Sequence, residues 1–212
     1  MAYAKLTDPQ PPKSDPVWEG HEDGAIYTTG RWMGDPRINP GEIGERWSPE
    51  PPWENLPNPI EIALEAVAAM QLRAVYIGIV PDDAEGSVGL IGLPTWMWAE
   101  DPTENTVGPI TRSASAGGYT VTATGELDRV VWDMGDGTTI TCEGPGTPYE
   151  DGYLDSDSPD CGHRYQSPGE YTVTPTSHWV INWSGMGQSG VFLLEVLDST
   201  TITIGEAQVI VQ

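Results

Sequence analysis

Two stretches decide the fold: Val130-Val131-Trp132-Asp133-Met134-Gly135-Asp136-Gly137-Thr138 and, after an insertion, His163-Arg164-Tyr165-Gln166-Ser167-Pro168-Gly169-Glu170-Tyr171-Thr172-Val173. In the first, Val130, Trp132 and Met134 fall on alternate positions, the period of a strand with one buried face. The glycines on either side of Asp136 then mark a turn. Upstream, Tyr119, Val121 and Ala123 alternate in the same way with Thr120 and Thr122 opposite them. From Thr106 onward the chain is rich in Thr, Val, Ile, Gly and Asp, with repeated turn signals and almost no helical period. Residues 107–212 therefore read as six to eight short strands forming a β-sandwich.

WDMGDGT at 132–138 and HRYQSPGEYTV at 163–173 together resemble the two hallmark segments of PKD (polycystic kidney disease) repeats, which are extracellular immunoglobulin-like β-sandwiches. The resemblance implies that Trp132 and Met134 face the core. It gives Asp133, Gly135, Asp136 and Gly137 to the turn, His163, Tyr165 and Gly169 to structural positions, and Tyr171 and Val173 to the facing sheet as a cover for Trp132. Met134 stands where the family usually has Phe, and the insertion bearing Cys142 and Cys161 is longer than the family norm. GIVP (78–81), GLPTWMW (92–98), GPITRSASAGG (108–118), GPGTPY (144–149) and TIGEAQVIVQ (203–212) resemble segments of a group of uncharacterised secreted actinobacterial proteins, some carrying an automatic ATP/GTP-binding label. That likeness implies export and supplies no chemistry.

Ahead of the β-rich region the character of the chain changes twice. Residues 1–57 hold ten prolines and four tryptophans, Trp18, Trp32, Trp47 and Trp53, with few aliphatics, and read as an extended arm. Its tryptophans either pin the arm to the following domain or serve as anchors for a protein partner. Residues 58–106 read as a small α+β unit. Asn58 caps, Pro59 takes the first helical position and Glu61 has capping-box spacing, so a helix is expected to about Leu72, with Ile60, Leu64, Val67 and the alanines packed on a sheet. A hairpin of Ala74–Val80 with Ser87–Trp98 follows, joined by an acidic turn.

Charge removes several function classes. With 9 Lys+Arg against 32 Asp+Glu, a net charge of -23, the chain lacks the clustered cations that nucleic acid or an anionic membrane requires. Only Lys5 and Lys13 are lysines and neither follows a glycine, which rules out a Walker A loop. The longest apolar run, from Ile60 to Val80, is broken by Glu61, Glu65 and Arg73, so no membrane insertion is expected. The expected location is secreted or cell-surface, as a mature form without its signal peptide.

Candidate sites are few. Cys142 and Cys161 flank a Gly, Pro and Asp-rich stretch and read as a disulfide-stapled loop; two free thiols, or a zinc site with His163, are the other readings. Asp155, Asp157 and Asp160 share that loop and are candidate calcium ligands, against the reading of a solvated acidic turn. Gly185-Met186-Gly187-Gln188-Ser189-Gly190 spells GxGxxG, but no helix or βαβ crossover follows it, so no nucleotide cofactor is expected. His21, His163 and His178 lie in no arrangement that activates a nucleophile. Trp96 with Trp98, and Trp179 with Trp183, share strand faces and read as core stripes or as glycan-stacking platforms. The expected function is a non-enzymatic binding or structural module making protein–protein contacts at the cell surface. The competing reading is a carbohydrate-binding accessory domain or a small enzyme acting on surface glycans.

Overall fold

Strands account for nearly half of the chain, which is mainly β, with one α-helix among the described residues. The structure is a computed structural model, and it describes residues 2–31, 42–52 and 56–207. In chain order the elements are β1 (Ala2–Leu6), β2 (Ala25–Arg31), β3 (Glu42–Ser48), α1 (Pro59–Ala68), β4 (Tyr76–Val80), β5 (Gly89–Leu90), β6 (Thr95–Glu100), β7 (Ile110–Ala116), β8 (Tyr119–Asp133), β9 (Thr139–Glu143), β10 (Gly162–His163), β11 (Gly169–Gly185), β12 (Gln188–Leu197) and β13 (Thr200–Gly205).

Two long strands form the spine. β8 and β11, of 15 and 17 residues, pair antiparallel from Asp133 opposite Thr174 to Val121 opposite Gly185. β7 and β9 pair with the first and last parts of β8, while β12 and β13 do the same for the last and first parts of β11. The β7–β8 and β11–β12 hairpins close through Gly117-Gly118 and Met186-Gly187. In both turns the two central residues have positive φ, the conformation whose twist matches that of the flanking strands.

One face of this long sheet carries the core. Toward the Asp133 end, Val130, Trp132, Met134, Val173, Ile202 and Ile204 pack with Val75, Ile79, Met97 and Ala99 from β4, β6 and their approach. Those strands and β10 make the second sheet, in the order β10–β6–β4. Toward the far end α1 takes over as the cover, laying Ile62, Ala63, Ala66 and Met70 on Ile110, Val121, Ala123, Trp179, Ile181 and Trp183. Leu127 touches both clusters, and a buried hydrogen bond from the Val75 N–H to Ser177 Oγ at 3.0 Å ties the two halves of the cover to the sheet.

Four expectations need correction. Residues 58–106 are not a separate α+β unit, because α1 and the β4–β6 pair each supply the missing half of a core whose other half lies beyond residue 107. β4 does pair antiparallel with Thr95–Glu100, but Gly89–Leu90 leaves that hairpin to run parallel to β13. Helix α1 starts as expected, with Asn58 Oδ1 accepting from the Ile60 N–H at 3.0 Å, yet stops at Ala68 and not near Leu72; Gln71 has left-handed backbone. Its buried stripe is Ile62, Ala63, Ala66 and Met70, while Ile60 and Leu64 are exposed. The helix is apolar almost all round, so small side chains choose its face: Ala63 and Ala66 let it lie close to the sheet over Gly125, where an added Cβ would stand 3.3 Å from Met70 Sδ. Finally, Tyr171 and Val173 do not cover Trp132 from a facing sheet. β11 is the direct neighbour of β8, with Pro175 opposite Trp132, and the cover across the sandwich comes from β4 and β6.

Residues 1–57 also differ from an unpaired arm. The described parts form a three-stranded antiparallel sheet, β1–β2–β3, and every described proline lies outside those strands, in the connections where its missing N–H costs no ladder bond. Gln10 extends the pairing with its side chain, accepting from the Ile26 N–H at 2.8 Å and donating to the Ile26 carbonyl at 3.0 Å.

Candidate functional site

The 132–138 and 163–173 segments meet in one hydrogen-bonded knot. Asp133 Oδ1 accepts from the Gly135 N–H and Asp136 Oδ1 from the Thr138 N–H, each at 2.9 Å, which bends the chain into the β8–β9 turn. Gly135 and Gly137 both have positive φ there. His163 Nε2 lies 2.8 Å from Asp136 Oδ2, and the Tyr165 hydroxyl donates to the Met134 carbonyl at 2.8 Å. Tyr171 stacks on Tyr165 and donates to the Ser167 carbonyl at 2.9 Å, which closes the Gly169 turn. Partial burial disfavours the charged form of Asp136, but the Thr138 N–H and His163 outweigh it and hold the carboxyl below its ordinary value. Burial, helped by the charge of Asp136, pushes the Tyr165 phenol up. The Asp133, Asp136, His163, Tyr165 and Tyr171 side chains all find partners inside the knot, while the buried Trp132 indole N–H has none among the described residues, so the polar chemistry of the knot is that of a fastener.

Cys142 and Cys161 are bonded to each other and buried, closing the long insertion at its base. The three calcium candidates do not converge. Asp160 accepts from Thr147 and Ser158, Asp157 pairs with Arg164 at 2.8 Å, and Asp155 turns to an apolar groove. Among the described residues no group of three or more His, Cys, Asp or Glu side chains is placed to hold a metal ion.

The tryptophans are structural where they are described. Trp96, Trp98, Trp179 and Trp183 are all buried, so none of them presents a face for stacking a sugar. Two of them lie across glycines of the neighbouring strand, Trp98 over Gly78 and Trp183 over Gly190, where a Cβ would stand 2.2 and 2.8 Å from the indole. Of the expected partner anchors, Trp18 is 3% exposed, donates to the Pro11 carbonyl and sits under the Lys13 ammonium, which removes it from contact with a partner. Trp47 is half-buried, stacked on His21 and bonded to the Asp23 carbonyl. Trp32 and Trp53 lie outside the described residues. The remaining histidine, His178, faces Glu195 at 3.3 Å, and the GxGxxG run forms the β11–β12 turn.

What remains unpartnered is β12. Among the described residues it pairs with β11 alone, and no described strand meets its outer backbone edge. Phe192 and Val196 point to the α1 side and pack on that core. On the opposite side Val191, Leu193 and Leu197 are 57%, 78% and 66% exposed, interrupted only by Glu195. The same face of β7 and β8 is polar, with hydroxyl pairs Thr111–Thr124, Ser113–Thr122 and Ser115–Thr120 at 2.8–2.9 Å. Reading the sequence for aromatic anchors missed this strand. Its signal is Gly190-Val191-Phe192-Leu193-Leu194-Glu195-Val196-Leu197, a run apolar at both parities, which is what two-sided contact requires. No protein-family model matches the chain, and a search of the curated proteins finds no match either.

Proposed function

We propose that the chain is an exported, non-enzymatic binding or structural module that makes protein–protein contacts at the cell surface, with β12 as the contact strand. The observation that carries this reading is the exposure of Val191, Leu193 and Leu197 on a ten-residue edge strand that has no Pro or Lys and whose outer side meets no other strand among the described residues. Folded proteins ordinarily blunt such an edge with charge, proline or a covering loop, because it templates pairing with another strand. Export is supported by the buried Cys142–Cys161 disulfide and by the likeness of 132–138 and 163–173 to PKD repeats. A glycan-binding accessory domain or glycan-directed enzyme, the competing function, would need a platform other than the four buried tryptophans.

The occupant is β12 of a second copy. A two-fold antiparallel pairing centred on Leu194 sets Val191 against Leu197, Phe192 against Val196 and Leu193 against Glu195, so both faces of the joint stay mostly apolar and no two carboxylates are directly opposed. Fully burying an aliphatic side chain such as Leu193 contributes about 1.5–3 kcal/mol. Opposing this is the repulsion between two chains of net charge -23, which salt screens.

Sedimentation velocity tests the reading. The expected result is a monomer–dimer equilibrium that tightens between about 0.05 and 0.5 M salt, with Leu193→Glu plus Leu197→Glu monomeric and melting like the parent. A parent chain that stays monomeric at about 0.2 mM in both salts, or a double variant that dimerises as well as the parent, overturns it.

A further inference from the structure

Away from β12, a second apolar surface lies between the loop 81–94 and the disulfide-closed insertion 144–160. There Pro81, Val88, Leu90, Leu93, Tyr149 and Leu154 line a groove of about 410 Å³, with Ile204 of β13 also in its wall. The apolar surface continues past the cavity onto its rim, since Val88, Leu93 and Leu154 are 52%, 45% and 75% exposed. Monomeric proteins seldom gather exposed aliphatics in this way without a use for them.

The walls are fixed. The insertion is held by the Cys142–Cys161 bond, by Thr147 donating to Asp160 at 3.1 and 2.7 Å, by the Trp96 indole N–H donating to the Ser156 carbonyl at 2.8 Å and by Tyr153 stacked on Trp96 at 4.9 Å. Arg164 joins the two walls, donating to the Gly92 carbonyl on one side and pairing with Asp157 on the other. That contact engages the cation beside the groove, and the lining carboxylate of Asp155 has no hydrogen bond or ion pair among the described residues. Asp82 and Glu150, both exposed, stand next in sequence to lining residues and have the same sign.

We propose that this groove binds an extended peptide segment carrying Lys or Arg beside aliphatic side chains. The floor takes the aliphatic groups and Asp155 takes the cation. A chain of net charge -23 attracts such a segment at long range and repels its acidic counterpart. A small molecule confined to the cavity would leave the rim leucines uncovered, whereas a peptide backbone runs along both. Because the walls are already pinned, little ordering cost is added on binding.

The test uses three capped pentapeptides, KLVLK, ELVLE and KSSSK, titrated into the full chain and followed by amide chemical shifts. The expected result is saturable binding of KLVLK, with shifts confined to 81–94 and 144–160, and binding of the other two weakened by at least about tenfold. Leu154→Ser, at a side chain exposed enough to leave the fold intact, abolishes binding, and Asp155→Asn weakens it by about two- to fivefold. Leu193→Glu binds KLVLK like the parent, which separates this site from the β12 joint. Equal binding of ELVLE, equal binding of KSSSK, an unaffected Leu154→Ser, or no saturable binding of KLVLK overturns the proposal.

Discussion

Gly135 and Gly137 flank the same aspartate in the same turn, and the structure predicts that replacing them with Ala has very different costs. Both have positive φ, +74° and +89°, so each Ala variant carries the backbone penalty of an L-residue in that region, about 1–2 kcal/mol. Gly137 has nothing within 4 Å of an added Cβ, and its penalty ends there. At Gly135 the same Cβ would stand 2.5 Å from the Thr172 carbonyl oxygen and 3.1 Å from the Thr172 nitrogen. Those are backbone atoms of β11, where Thr172 pairs with Thr201 of β13 and Thr174, two residues on, with Asp133 of β8, so the clash is relieved only by shifting a strand, at a further cost of about 1–3 kcal/mol. At about 2–4 °C per kcal/mol for a chain of this size, Gly135→Ala melts several degrees below Gly137→Ala. Thermal unfolding followed by tryptophan fluorescence measures both. Equal melting temperatures, or Gly137→Ala as the worse variant, would refute the close approach of this turn to β11.

The low carboxyl of Asp136 makes a pH prediction. A group whose folded value is depressed contributes stability above its unfolded value, near 3.9, and loses it as pH falls through the folded one, so parent stability declines below about pH 4 and Asp136→Asn declines less steeply in acid denaturation. Replacing Cys142 and Cys161 by Ala removes a loop closed over a sequence separation of 19 and lowers stability by about 3 kcal/mol in the chain-entropy model, measured as the urea midpoint against the parent. Deleting residues 1–57 removes no described residue of either core, the first of which is Ile62; circular dichroism of the truncated chain is therefore expected to show an intact cooperative melt.

Much of the spine was visible in alternation. Val121 and Ala123 are odd-numbered, Val130, Trp132 and Met134 even, and all five face one core side. That change of parity is itself a structural statement: one extra residue sits in β8 at Asp128, and the register against β11 shifts between His178 and Trp179. Had β8 been regular, half of its apolar side chains would have faced water. What alternation could not convey is length. β8 and β11 run past the sandwich into a region where a helix replaces the second sheet, and nothing local in residues 58–106 says that their apolar faces are completed by strands beyond residue 107. The arm was misread for a related reason. Proline counts ignore position, and every described proline before Asn58 lies outside β1, β2 and β3.

The site was harder to see because the residues that signal binding in a sequence are here consumed by folding. The described tryptophans fill cores, lie across glycines or hold connections, and the acids of the insertion divide among a loop, an arginine and a groove. The surface left for partners is aliphatic, and aliphatic residues look like core in any sequence. Leu193 and Leu197 are distinguishable from Ile202 and Ile204 only once the pairing is known. All four lie on the same side of β11, which joins β12 to β13. Ile202 and Ile204 are roofed by the second sheet, and Leu193 and Leu197 point to the face that has no roof. Across the two-residue interruption at Asp198-Ser199 the register against β11 is unchanged, with Leu197 opposite Thr176 and Thr200 opposite Val173, so even positions face the core and odd positions face away on both sides of the break. Folding therefore requires apolar residues on this edge at even positions alone. The outer set of Val191, Leu193 and Leu197 has no such reason, and contact with another molecule is the physical role left to it.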